Sequence, residues 1–374
     1  MTMASRARPL PFLALLLAVS IGQAVAELVR GERPYILSIG AAGGLGRREG
    51  FEQGLHERSW VRERIAPWYR WLAFRCAAHA GAELALGHDG WLYDAAELEW
   101  VSRAPFLGGS SQAVHVILDL QRKLEALGIM LLVVPVPPKV SIDPEHLGGA
   151  LRALDRPTNV ATTPFLATLT RKGVRVIDVA TLLSEEPALD HYLATDSRWT
   201  PATVARVSAA IASEIRTLPR QGWGAGGLLG FVRESVGFEG NLVARLRLPK
   251  ALHVVAPEAV ELEHPLPGWQ RSTEDLRSPV LVVGDGFSGI FGARDPSSRA
   301  AAGLPEQLAL RLRANVDAIV LRDARAASFS RILAERAALP HGRGGLGGKR
   351  VILWQFSLAT LADGDPAWTV LAPW

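Results

Sequence analysis

Val280-Leu281-Val282-Val283-Gly284-Asp285-Gly286-Phe287-Ser288 is the stretch from which the fold of this 374-residue chain can be read. Val280 to Val283 form a short continuous apolar run, the pattern of a strand buried on both faces, and Asp285 to Ser288 follow directly at its carboxyl end. The same alternation extends outward in both directions. Upstream, Ser111 caps a helix whose Val114, Ile117, Leu120, Leu124 and Leu127 make one stripe, and Ile129 to Val134 is a second buried strand. Helices over Pro164 to Arg171 and Pro201 to Thr217 flank this region, with a strand over Val174 to Asp178. Downstream come helix Glu306 to Arg313, strand Val316 to Leu321, helix Ala324 to Ala338 and strand Val351 to Phe356. Strands alternating with helices predict an α/β protein, a mainly parallel sheet with helices on both faces.

Residues 221–277 break the rhythm with many glycines and a few isolated apolar runs, and read as an insertion. Before the alternation begins, Leu55 to Leu84 carries Trp60, Val61, Ile65, Trp68, Trp71, Leu72 and Phe74 at mostly helical spacing, broken by Pro67. This predicts a pair of helices. Residues 27–54 are glycine-rich between Gly40 and Gly50 and read as a mobile linker. His88-Asp89-Gly90 predicts a tight turn between two short strands, where glycine tolerates the positive φ such turns need. The expected organisation is 1–26 as signal peptide or signal anchor, 27–84 as linker and N-terminal helices, and 85–374 as the main domain.

The N-terminal assignment rests on Arg6 and Arg8 ahead of an apolar run from Leu10 to about Gly22, then Ala24-Val25-Ala26 at the spacing a signal peptidase reads. The run is short for a span of about 30 Å of hydrocarbon, which favours a cleaved signal over an anchor. Either reading puts the rest of the chain outside the cytoplasm.

Composition bounds the alternatives. With 48% apolar residues the chain can bury a large core, which excludes a disordered protein. A net charge of +4 with no basic run interleaved with aromatics argues against nucleic acid as a partner. Cys76 is the one cysteine, so neither an intramolecular disulfide nor a cysteine-rich zinc site can form. The nine histidines show no His-x-x-x-His pair, and the one Glu-x-x-His match, Glu261 to His264, stands alone in the insertion; no metal is expected. Gly40 to Gly46 superficially suggests a dinucleotide loop, yet no clear helix follows and no acidic ribose partner is placed, so no cofactor is expected either.

In an open parallel sheet ligands bind at the carboxyl ends of the strands. Asp285 to Ser288 lies at such an end, and Asp196 to Thr200 directly precedes a helix with Thr200 at its N-cap and Pro201 at its first position. Both segments are expected to face one crevice. Lys139 ends the run Leu131 to Lys139 after two prolines, either lining that crevice or solvated.

Four motifs in order carry a resemblance: Gly87-His88-Asp89-Gly90-Trp91-Leu92-Tyr93; Leu131 to Lys139 with Pro144-Glu145-His146-Leu147 behind it; His191 to Thr200; and Val280 to Ser288. Together they resemble the AlgJ/AlgX family of SGNH-hydrolase-like proteins from about Gly87 to the chain end, where Val351 to Phe356 looks like the family's last strand. The resemblance implies an SGNH-hydrolase-like, flavodoxin-like fold. It also implies O-acetylation of alginate or a related exopolysaccharide in the periplasm, with acetyl groups delivered by a membrane-bound O-acyltransferase. In that family an Asp-x-His pair activates a serine in a strand-end turn. Here Asp196 holds the aspartate position, but Arg198 stands at the histidine position and Gly286 at the nucleophile position.

A hydroxyl is a poor nucleophile until a neutral imidazole takes its proton and a carboxylate fixes that imidazole. Arginine stays protonated and has no acceptor lone pair, and glycine offers no hydroxyl. Two such losses predict a catalytically degenerate member. The competing expectation is an active acetyltransferase or esterase in which Ser288 supplies the hydroxyl beside Asp196, with His191 or another histidine as base. Ser288 can equally be a turn or capping residue, and Asp285 an acid or a helix cap. Arg198 can lock its loop by pairing with Asp196, or hold an anionic group such as a uronate carboxylate. Arg198, Asp285 and Lys139 are the candidate substrate-binding residues.

Overall fold

The computed structural model describes residues 21–33, 66–77, 80–104, 111–147, 157–218, 231–249, 255–265, 275–293, 295, 300–340, 343–362 and 364–369. The chain divides into two compact units, 1–81 with 246–254 and 82–245 with 255–374. In the first unit residues 21–29 are helical and Ala66–Ala77 forms a second helix. Pro67 is the second residue of that helix. It sits in the first turn, where a backbone N–H has no intrahelical partner to lose. Most of the export segment, most of the glycine-rich linker and the expected helix before residue 66 fall outside the described residues.

The second unit is built on strands β1 (Leu84–Leu86), β2 (Leu92–Asp94), β3 (Met130–Val136), β4 (Arg175–Val176), β5 (Phe231–Phe238), β6 (Glu258–Pro265), β7 (Val280–Gly284), β8 (Asp317–Val320) and β9 (Val351–Ser357). Five of them make one sheet in the order β4-β3-β9-β7-β8, every neighbouring pair parallel. The strands have period 2, and the sheet uses both faces. Leu132, Val134, Val280, Val282, Val351 and Leu353 enter one apolar cluster with the Pro201–Ile215 and Leu304–Leu312 helices. Leu131, Val133, Leu281, Val283, Ile352 and Trp354 enter the other, with Gln112–Ala126, Thr162–Arg171 and Ala326–Ala337. A strand covered on both sides can be apolar at consecutive positions, which explains the unbroken runs in the sequence.

Strand β4 is shorter than its sequence suggests. Asp178 leaves the ladder to cap Val179–Leu183, its side chain accepting the Thr181 amide at 3.1 Å. β1 and β2 form the antiparallel pair expected around His88-Asp89-Gly90, with Asp89 at φ 53° and Gly90 at φ 84°. Within the insertion β5 and β6 pair antiparallel over eight positions, and Gly240 and Asn241 between them approach the residues around Asp196.

Candidate functional site

The carboxyl ends of β3, β7 and β9 carry the segments to which the sequence points. Residues 191–200 fold as a small loop closed by an antiparallel bridge between Tyr192 and Trp199, and Thr200 caps the Pro201–Ile215 helix through the Thr203 amide. Trp199 is fully buried. Its indole N–H donates to the Phe287 carbonyl at 2.8 Å and its ring packs edge-on against Phe287, so the loop is tied to the turn after β7. The two segments therefore share one crevice.

Lys139 does not line that crevice, nor is it solvated. It is 0% exposed, and its ammonium donates to the carbonyls of Leu92 at 2.7 Å, Leu193 at 2.6 Å, Ala194 at 2.9 Å and Asp196 at 3.2 Å. It also lies over the faces of Trp91 and Tyr93. Burial pushes its pKa down to about 8 against the pull of Glu258 and Glu97. From the other side Glu258 of β6 accepts the amides of Ala194 at 2.9 Å and Thr195 at 2.7 Å. Asp143 accepts the amides of His191 at 3.1 Å and Tyr192 at 2.7 Å, and burial raises its pKa to about 7. One cation and two carboxylates thus fix the path of residues 191–196, where a loop would otherwise leave backbone groups unsatisfied.

At the loop tip Asp196 is 0% exposed. Its Oδ1 accepts from Arg198 Nε at 2.8 Å and from the Arg198 amide at 2.9 Å, and its Oδ2 accepts from Arg198 Nη2 at 2.8 Å and the Asn241 amide at 2.8 Å. This is a bidentate fork closed on one side by the insertion. Gly240 is required there: a Cβ would stand 2.1 Å from the Thr195 carbonyl oxygen. Burial pulls the Arg198 pKa down, but the bonds and charge of Asp196 more than offset this and leave it raised.

Gly286 opens the short Gly286–Gly289 turn, and Asp285 caps it by accepting the Phe287 amide at 2.9 Å. The other Asp285 contacts are the Gln355 side-chain amide at 2.9 Å and the Ser357 amide at 3.1 Å, and burial raises its pKa. Ser288 is fully buried and donates to Gln355 Oε1 at 2.7 Å. A carboxamide oxygen cannot take a proton as a base does. His191 is engaged elsewhere, with Nε2 3.1 Å from the Glu186 carbonyl and Nδ1 3.4 Å from Thr203 Oγ1. A Cβ placed on Gly286 would meet only Arg198 Cδ, at 3.6 Å. A Cβ therefore fits at position 286, beside Arg198.

Beside Gly286 lies a pocket of about 190 Å³ whose wall includes Arg198, Ser288, Asp295, Glu306 and Val320. It is smaller than the ~300 Å³ at which drug-sized ligand sites begin and suits a small group. Gln355, Asn241, Glu258 and Asp143 were not singled out by sequence reasoning. Gln355 alone left a signal there, a carboxamide inside an otherwise apolar strand.

A parallel sheet with its crevice between the turn after β7 and a loop preceding a helix defines an SGNH-hydrolase-like α/β domain. The family model of the SGNH hydrolase-like domain of the acetyltransferase AlgX matches residues 84–331, more than half of the chain, and the chain belongs to that AlgJ/AlgX family. The probable alginate O-acetylase AlgJ of Pseudomonas aeruginosa is 26% identical over 223 residues, 55% of each chain, so the match spans about half the length of that relative. The O-acetyltransferase domain of Pseudomonas putida AlgJ superposes with a TM-score of 0.50 at 20% identity, covering 76% of this chain and 96% of that one. Pseudomonas aeruginosa AlgX gives a TM-score of 0.51 at 20% identity, over 76% of this chain and 65% of that one. These two likenesses establish the fold.

Proposed function

We propose that this protein is an exported, catalytically degenerate member of the family that serves bacterial exopolysaccharide O-acetylation by binding the polymer or an acetylation partner, such as a membrane-bound O-acyltransferase. The observation that carries the reading is the Asp196–Arg198 fork. The carboxylate that would orient an imidazole has all four of its contacts taken, and the residue paired with it cannot accept a proton. Gly286 adds the second loss. The Ser288 alternative finds no support in the crevice, because its hydroxyl faces Gln355 and, among the described residues, has no histidine or carboxylate partner. Its role in this reading is to join β7 to β9.

The N-terminal sequence and membership of the family support a periplasmic location. Among the described residues no helix is long and apolar enough to cross a membrane. Hydrolysis of a chromogenic acetyl ester by purified protein tests the reading, with Ser288→Ala alongside. Turnover no faster than buffer in both is the expected result. Turnover in the parent that disappears in Ser288→Ala would replace this reading with an active enzyme.

A further inference from the structure

The first unit contains a helix whose outward face is of the wrong kind for water. In Ala66–Ala77 the exposed positions are Trp68, Tyr69, Leu72, Arg75 and Cys76, spaced i, i+1, i+4, i+7 and i+8 on one helical face. Trp68 is 52% exposed, Tyr69 70% and Leu72 52%. A surface helix ordinarily turns its charged residues to solvent and its apolar ones inward. Here two aromatic rings and a leucine face out, Arg75 is the one charge among them, and the helix contains no acidic residue.

Residues 21–29 show the same inversion. Ile21, Val25, Leu28 and Val29 are exposed at i, i+4, i+7 and i+8, while Gln23 and Glu27 are buried and bonded to each other at 2.7 Å. Directly before them in sequence lies the apolar run from Leu10 with Arg6 and Arg8 ahead of it.

From these observations we infer that the Ala66–Ala77 helix docks on an anionic lipid surface, lying along it with Trp68, Tyr69 and Leu72 in the headgroup boundary. The chemistry selects lipid as the occupant. Tryptophan and tyrosine place an apolar body and a polar tip at an interface, and arginines meet anionic headgroups. Arg75 puts a positive charge on this face, and no acidic residue of the helix offsets it. The inference does not depend on whether the crevice is catalytic.

Cys76, exposed on this face and the only cysteine in the chain, supplies the probe. The full-length protein carrying an environment-sensitive fluorophore on Cys76 is mixed with phosphatidylglycerol vesicles or phosphatidylcholine vesicles, and co-sedimentation is followed in parallel. A blue shift on phosphatidylglycerol, smaller on phosphatidylcholine and weakened in 1 M salt by screening, is expected. The triple variant Trp68→Ser, Tyr69→Ser, Leu72→Ser should lose the shift. Arg75→Glu, which keeps the apolar face, should bring the phosphatidylglycerol shift down to the phosphatidylcholine level. A Cys76 probe that stays water-like while the chain co-sediments would overturn the inference, because attachment would then run through the N-terminal segment alone. A shift that grows with protein concentration in the absence of vesicles would overturn it in favour of a second copy of the chain.

Discussion

The frame of the 191–200 loop and the tip of the same loop have opposite characters. In the frame Lys139, Glu258 and Asp143 each satisfy several backbone groups, and Trp199 ties the loop to the turn after β7. The tip holds an arginine clamped on Asp196 and faces a glycine where a nucleophile would stand. The frame is what folding requires, since Lys139 and Asp143 are buried, Glu258 is half-buried, and each is matched. At the tip the Arg198 side chain bonds the Asp196 carboxylate and no backbone group, and Gly286 has no side chain, so in the reading proposed above these two positions can change without disturbing the frame.

Breaking the frame should therefore cost far more than altering the tip. Lys139→Met would strand four carbonyls in a dry interior. A loss of about 3 kcal/mol or more is expected, seen as a steep fall in the thermal unfolding midpoint of the second unit. Asp196→Asn lies between frame and tip. It removes the charge that matches a mostly buried guanidinium and should cost about 2–3 kcal/mol in denaturant titrations, with Arg198→Leu in the same background recovering part of it.

The buried acids of the frame give a third handle. Burial raises Glu97, whose carboxylate accepts the Lys139 amide, to about 8, and Asp143 to about 7. Below these values and above the ordinary carboxylate range, the folded chain holds protons that the unfolded chain has released. Stability should then fall as pH rises from about 5 to 8, by at most about 1.4 kcal/mol per pH unit for each group. Unfolding midpoints across that range check this, and Glu97→Gln should flatten the slope. The smallest effect belongs to the tip: Gly286→Ser should change stability by no more than about 0.5 kcal/mol, because its Cβ makes only an ordinary contact with Arg198 Cδ at 3.6 Å. A large loss there would mean that the glycine is part of the frame after all.

The sheet was legible because a strand covered on both faces writes an unbroken apolar run, as in Val280 to Val283, and a helix beside it writes a stripe, as from Val114 to Leu124. That the segments around Arg198 and Gly286 share one crevice was legible because one follows a strand and the other precedes a helix. The frame was not. Glu258 reaches the loop from an insertion 63 residues downstream of Thr195, and Asp143 reaches it from 49 residues before Tyr192, at spacings no local pattern records. Lys139 misled for a different reason. A lysine after two prolines has the composition of a solvated turn, and only the convergence of two segments, β2 and residues 193–196, on its ammonium makes burial favourable.

Labelling by a fluorophosphonate, which reacts with activated serines, tests most directly whether only positions 198 and 286 separate this chain from an active esterase. Intact mass is measured for the parent and for the double variant Gly286→Ser with Arg198→His. The parent should remain unlabelled, and the double variant should gain one adduct on the peptide spanning position 286. An adduct on Ser288 of the parent would contradict the account, and a folded double variant that stays unlabelled would show that the frame, too, has given up the geometry of catalysis.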